Sequence, residues 1–275
     1  MDYTSFSKDI ENSEVRFYFD SIFKKITSAI SNQEISDELY YWANCLFQKY
    51  KIQFYSIMKL TDNFTNDLEN KYEYFDIVSI HTLIRSCYET FLLFDYIYLK
   101  SKSLDEQHLK LLLYKYNGFK DQLHIVIKNS DKYNKIKVDI KKTKSEIYKN
   151  NFFMNLDDKT KNKLLKSWKP SWNEIAKSTI MSNWNSRKQY NLLCQHAHGS
   201  FASLLLIDYY YRNLGEYDFN AINCQLYEIT TLFFDGILRI FNIDFNILSE
   251  PEIGLLQEFL HMSTLEQNEF SKTEK

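Results

Sequence analysis

Residues 80–99, IHTLIRSCYETFLLFDYIYL, are apolar almost all the way round a helix, so a chain that carries them must bury that helix on most of its sides. His81, Arg85 and Glu89 are set into this run at i, i+4 and i+8, and at about 100° per residue they fall within roughly one quadrant. Arg and Glu are rarely fully buried without partners, and an unpaired buried charge costs on the order of several kcal/mol, so a second helix has to supply those partners. The best supplier is the stretch YNLLCQHAH at 190–198. The chain therefore reads as all-α: a multi-helix bundle around a buried central helix at about 74–100, packed on a second long helix at about 185–212.

The punctuation agrees. Five Gly and two Pro in 275 residues leave few of the turns that a sheet requires, and 17% aromatic content suits long packed helices. Apolar residues at Val15, Phe17, Phe19, Ile22, Phe23, Ile26 and Ile30 predict a first helix, and a second is expected over 36–58, followed by a polar linker at 61–71. Ser103 with Glu106 three residues on is a capping-box pattern, opening a helix to about Lys128. Trp168, Trp172 and Trp184 read as the plug at one end of a bundle. A helix is expected over 221–245, and Pro251 stands near the first position of a terminal one. One domain spans 12–260, with a Lys-rich helical excursion at about 129–166 and a disordered tail at 263–275.

A formal net charge of −2 and a pI near 6.3 exclude the global positive field of an obligate nucleic-acid binder. The excursion itself has two readings, a solvated helical surface or a basic arm for RNA, since clustered lysines contact phosphates without sequence specificity. Cys45, Cys87, Cys194 and Cys224 lie far apart, with neither a C-x-x-C zinc pair nor a disulfide framework, and reduced thiols imply a cytoplasmic protein. No signal peptide is visible at the amino terminus, and Asp95 and Lys100 interrupt or end the best apolar run, so no membrane association is expected.

On the second polar segment Arg187, Asn191, Cys194 and His198 share one broad helix face, while His196 points nearly opposite. Arg85, Glu89 and His198 then have two readings. They can be a buried network that fixes helix register. Alternatively they line a pocket in which His198 exchanges protons near neutral pH, Arg85 grips a phosphate or carboxylate and Glu89 orients the Arg; Tyr190, Asn191, Cys194 and His81 are the accompanying binding candidates. No cofactor or metal is expected. Asp105/His108, Asp121/His124 and Glu258/His261 each have the i, i+3 spacing of di-iron bundles, but the first two lie sixteen residues apart on one helix, about 24 Å, and cannot share a site.

The pairing of I-R-S-x-x-E-T at 84–90 with Y-x-x-L-C-x-x-x-H-G-S at 190–200 resembles a bacterial all-α family of unknown function, whose members carry R-x-x-x-E on one helix and Y-x-x-L-S-x-x-x-H on a later one. On that likeness Arg85, Glu89, Tyr190 and His198 occupy the motif positions, with Cys194 where Ser is usual. More loosely the architecture is similar to HEPN domains, helical bundles of toxin and phage-defence systems, several of which cut RNA without metal through R-x(4-6)-H. Arg187 precedes His196 by eight intervening residues, so that motif is absent and a catalytic pair would have to form across helices from Arg85 and His198. The resemblance implies an RNA-directed effector, a metal-independent ribonuclease or RNA binder, with RNA, a partner protein or a second copy of the chain as the expected partners. The rival expectation is a non-catalytic bundle that binds a partner protein or small ligand.

Overall fold

In the computed structural model, residues 12–67, 76–179, 190–191, 193–195, 200–212 and 219–260 are described, and their regular structure is helical throughout, with no strand among them. In chain order the helices are α1 (Asn12–Ser31), α2 (Glu38–Asp67), α3 (Ile77–Phe94), α4 (Leu104–Leu123), α5 (Asp131–Lys149), α6 (Asn151–Met154), α7 (Asp158–Lys166), α8 (Trp172–Ser178), α9 (Phe201–Arg212), α10 (Phe219–Ile240) and α11 (250–260). The fold is an all-α multi-helix bundle. Two compact units make it up, Met1–Leu93 with Ala176–Lys275, and Phe94–Ile175.

An aromatic core holds the first unit together. Phe23 on α1 meets Phe234 on α10 edge to face at 4.6 Å, and Phe19 lies 4.8 Å from Tyr227 and 5.8 Å from Phe259 of α11. Val15, Phe19, Ile22, Phe23, Ile26 and Ile30 are all buried, as helical spacing requires. Phe17, grouped with them by composition, is two residues out of phase and is 66% exposed. Helix α2 runs nine residues beyond the expected end at 58, through most of the stretch that reads as a linker; that stretch has no Gly or Pro, and the Thr61 hydroxyl satisfies itself on the Met58 carbonyl at 2.9 Å. At the far end Glu252 accepts from the Ser249 backbone and hydroxyl and from Lys25, which turns the Ser249-Glu250-Pro251 start into a capping box tied to α1.

Helix α3 is the apolar central helix, and it passes into a π-helical turn at Asp95–Leu99 closed by the Lys100 amide on the Asp95 carbonyl at 2.8 Å. The sequence expectation that no segment is long and apolar enough to cross a membrane needs correcting: Ile77–Leu99 passes that test by length and composition. Its window is 61% buried within the protein, the condition of a core helix.

The second unit has its own core of Leu109, Leu113, Ile147 and Phe153, with Tyr116, Leu164 and Trp168 packed against it. The Lys-rich stretch belongs here as α5, α6 and α7, and α5 buries Ile136, Thr143 and Ile147 at i, i+7 and i+11. The Ser103 cap is present: its Oγ accepts from Glu106 N at 3.2 Å, while the Glu106 carboxylate reaches back one residue beyond the cap and accepts from Lys102 N at 2.9 Å. Helix α4 stops at Leu123 rather than near Lys128, because the Ile125 and Val126 amides both turn back onto Gln122 and Asn129 takes a left-handed φ of 63°. Trp168 packs against this core; Trp184 and the tail at 263–275 lie outside the described residues.

Candidate functional site

The i, i+4 spacing on α3 puts Arg85 and Glu89 side by side, and Arg85 Nε donates to Glu89 Oε1 at 2.9 Å. The second helical segment supplies the third member: Tyr190 Oη donates to the same Glu89 Oε1 at 2.8 Å. The Arg85 guanidinium carbon stands 5.6 Å from the centre of the Tyr190 ring, and the Tyr88 ring lies 6.2 Å from Tyr190. One carboxylate oxygen thus joins a guanidinium and a phenol across 101 residues of chain.

Burial opposes the charge on Arg85, but the Glu89 carboxylate, with Tyr190 and Cys194 beside it, prevails and holds the guanidinium proton more tightly than usual. Burial, then Glu89, then Cys194 raise the Tyr190 phenol above its ordinary range, so it remains a neutral hydrogen-bond donor at any physiological pH. The side chains of Arg85 and Glu89 are 18% and 26% exposed, so the stripe is not uniformly buried, although its apolar surroundings suggest that it is. His81, one turn earlier, is only 6% exposed.

Of the residues singled out from sequence, the structure joins Arg85, Glu89, Tyr190 and Cys194. Asn191 is exposed, and His81 is buried on α3. His198, Arg187 and His196 lie outside the described residues. The helix expected over 185–212 is seen as helical residues 190–191 and 193–195 and then α9, with Ser200 non-helical between them; its hydroxyl accepts from Ser203 N at 3.3 Å, which is how a serine starts a new helix.

Sequence reasoning missed the support behind the pair. Gln53 of α2 donates to Ser86 Oγ at 2.6 Å, and Thr90 Oγ1 lies 2.7 Å from Ser86 O and 3.3 Å from Gln53 Oε1. Ser86 and Thr90 are themselves i, i+4, next to Arg85 and Glu89, and that doubled polar spacing was the available signal. It also missed Asp95. This carboxyl is 3% exposed on the π-helical turn, and its pKa is pushed up to about 6 by burial, against the pull of Lys100 and Lys110. Among the described residues no three His, Cys, Asp or Glu side chains converge as metal ligands.

Chemically, the cluster offers a fixed, partly exposed guanidinium backed by a carboxylate and flanked by a phenol and a thiol, a set suited to holding an oxyanion. No family model, no curated protein and no solved structure matches the chain.

Proposed function

We propose that the chain is a HEPN-like RNA-directed effector of a bacterial toxin or phage-defence system, acting as a metal-independent ribonuclease or as an RNA binder. The observation that carries this reading is the partly exposed Arg85 guanidinium, held by Glu89 and set against Tyr190. In this role Arg85 binds the phosphodiester oxygens and stabilises the charge that grows on them, while Glu89 orients Arg85. His198, four residues beyond Cys194 in the sequence, takes the proton of the RNA 2′-hydroxyl as O2′ attacks phosphorus. The P–O5′ bond breaks, and the imidazolium returns the proton to the departing 5′ oxygen.

The rival reading, a non-catalytic bundle that binds a partner protein or small ligand, draws on the same contacts, since Glu89 Oε1 already serves both Arg85 and Tyr190 as a register-fixing network does. A single comparison separates the two. Purified wild-type protein is incubated with end-labelled single-stranded RNA beside His198→Ala and Arg85→Lys, and melting temperatures are recorded. The effector reading expects loss of cleavage by about 100-fold or more in His198→Ala, with a melting temperature within a few degrees of wild type. RNA left intact and unbound by wild type, or equal cleavage by His198→Ala with a clear drop in its melting temperature, leaves only the structural role.

A further inference from the structure

The charge of this chain is strongly divided. Residues 94–175 contain 18 Lys and no Arg against 10 Asp and Glu, a formal +8, while the whole chain is −2, so the remaining residues carry −10. On α5, which buries Ile136, Thr143 and Ile147, Lys141 and Lys142 lie on the outer side, Lys135, Lys137 and Lys144 on the flanks, and Lys132 one turn before Ile136, and all six are exposed. Asp131 at the start of the helix is exposed as well, and Asp139 and Glu146 are half-buried on one flank, each four residues after a lysine, Lys135 and Lys142, so the exposed lysines of α5 outnumber its acids rather than standing apart from them.

The loop that joins α4 to α5 adds a second, independent feature. Ile125 and Ile127 are 83% and 82% exposed, the two most exposed large apolar side chains among the described residues. They are not there for want of order. The Ile125 amide bonds Gln122 O at 3.0 Å, and the Ile127 carbonyl accepts from Ser130 N at 3.3 Å and Ser130 Oγ at 2.8 Å. Ser130 in turn caps α5 by accepting from Tyr133 N at 3.2 Å. A loop that commits its backbone this way while presenting two isoleucines to water is shaped to place them against something apolar. Near it in sequence are Lys120, whose ammonium lies 5.3 Å from the Tyr116 ring, Lys128, Lys132 and Lys137, 5.1 Å from the Tyr133 ring, against the exposed Asp121 and Asp131.

We propose that the α4–α5 loop docks on an anionic lipid bilayer, with Ile125 and Ile127 entering the acyl boundary and the surrounding lysines, together with those of α5, engaging the lipid headgroups. Lysines alone would serve an RNA backbone equally well, but RNA offers nothing to the two isoleucines, whereas a bilayer takes both. Lysine stems lie along apolar surface while their ammoniums stay at the headgroups, and half-buried Tyr116 and Tyr133 suit the same interface. The interaction is peripheral, separate from the burial of α3, and it stands or falls independently of the RNA reading because none of its residues belongs to the Arg85 cluster.

The test is sedimentation of the full chain with vesicles of phosphatidylcholine alone and of phosphatidylcholine with 30% phosphatidylglycerol. Binding is expected to the anionic vesicles, weakening as salt is raised, and not to the neutral ones. Ile125→Asp with Ile127→Asp should reduce the affinity by about tenfold or more, and Lys132→Gln with Lys135→Gln by about fivefold per lysine, with helical circular dichroism unchanged. In Ile127→Trp the emission of the new indole should shift to the blue on anionic vesicles, relative to the parent protein. Failure to sediment with anionic vesicles, or binding that is indifferent to the isoleucine variants, overturns the proposal. So does binding of a 30-nucleotide single-stranded RNA that depends on the same lysines while vesicles are ignored, which would assign the surface to nucleic acid.

Discussion

Tyr190 donates its phenolic hydrogen to Glu89 at 2.8 Å, on the same carboxylate oxygen that Arg85 reaches at 2.9 Å. The shared atom makes the pair of contacts a coupled unit, because whatever displaces Glu89 loosens both partners.

Tyr190→Phe should therefore cost about 1–2 kcal/mol in urea unfolding, the scale of one hydrogen bond to a charged acceptor at a partly exposed position. Glu89→Gln should cost a similar amount or slightly more, because Arg85 is left facing a neutral amide. The double variant should fall short of the sum by at least about 0.5 kcal/mol. Additive losses would show that the two contacts are energetically separate.

Asp95 makes stability depend on pH in the direction opposite to most carboxylates. Burial raises its pKa to about 6 in the folded chain, against roughly 3.9 when unfolded, so between those values the folded state holds the extra proton. Stability should fall as pH rises through that window and level off above it. Asp95→Asn removes the titration and should stabilise the protein by about 2–3 kcal/mol at pH 7.5 but hardly at all at pH 4. The shift behind this gain is already net of Lys100 and Lys110, which favour the carboxylate. Equal effects of Asp95→Asn at both pH values would contradict the burial that causes the shift.

Thiol reactivity should sort the four cysteines by exposure. Cys87 is wholly buried on α3, and burial lifts its thiol far above the ordinary range; Cys224 is 6% exposed on α10. Cys45 and Cys194 are both partly exposed. Brief treatment of the native protein with iodoacetamide should label Cys45 and Cys194, with Cys87 and Cys224 labelled only after unfolding, as peptide mass mapping would read. Protection of Cys194 by an added RNA oligonucleotide would tie that thiol to the ligand site.

Local chemistry was legible before any tertiary structure. The side-by-side placement of Arg85 and Glu89, the Ser103 cap with Glu106 and the start of α11 near Pro251 involve residues no more than four apart, and helix geometry alone dictates them. The all-α class followed equally from apolar spacing and the scarcity of Gly and Pro. What the tertiary structure decided is which faces meet. Phe17 has the same chemistry as Phe19 yet faces water, because burial depends on phase against α10 and α11 rather than on residue type. The partnership of Tyr190 with Glu89 spans 101 residues, and Asp95 is buried on a π-helical turn that the apolar run of α3 does not announce. The two isoleucines of the α4–α5 loop read in sequence as the continuation of a helix, and only the backbone turn at Gln122 and Asn129 leaves them exposed, away from the core of their unit. Such outcomes rest on many weak contacts between distant segments, each too small to leave a mark in the local pattern, and they are settled only when the helices pack.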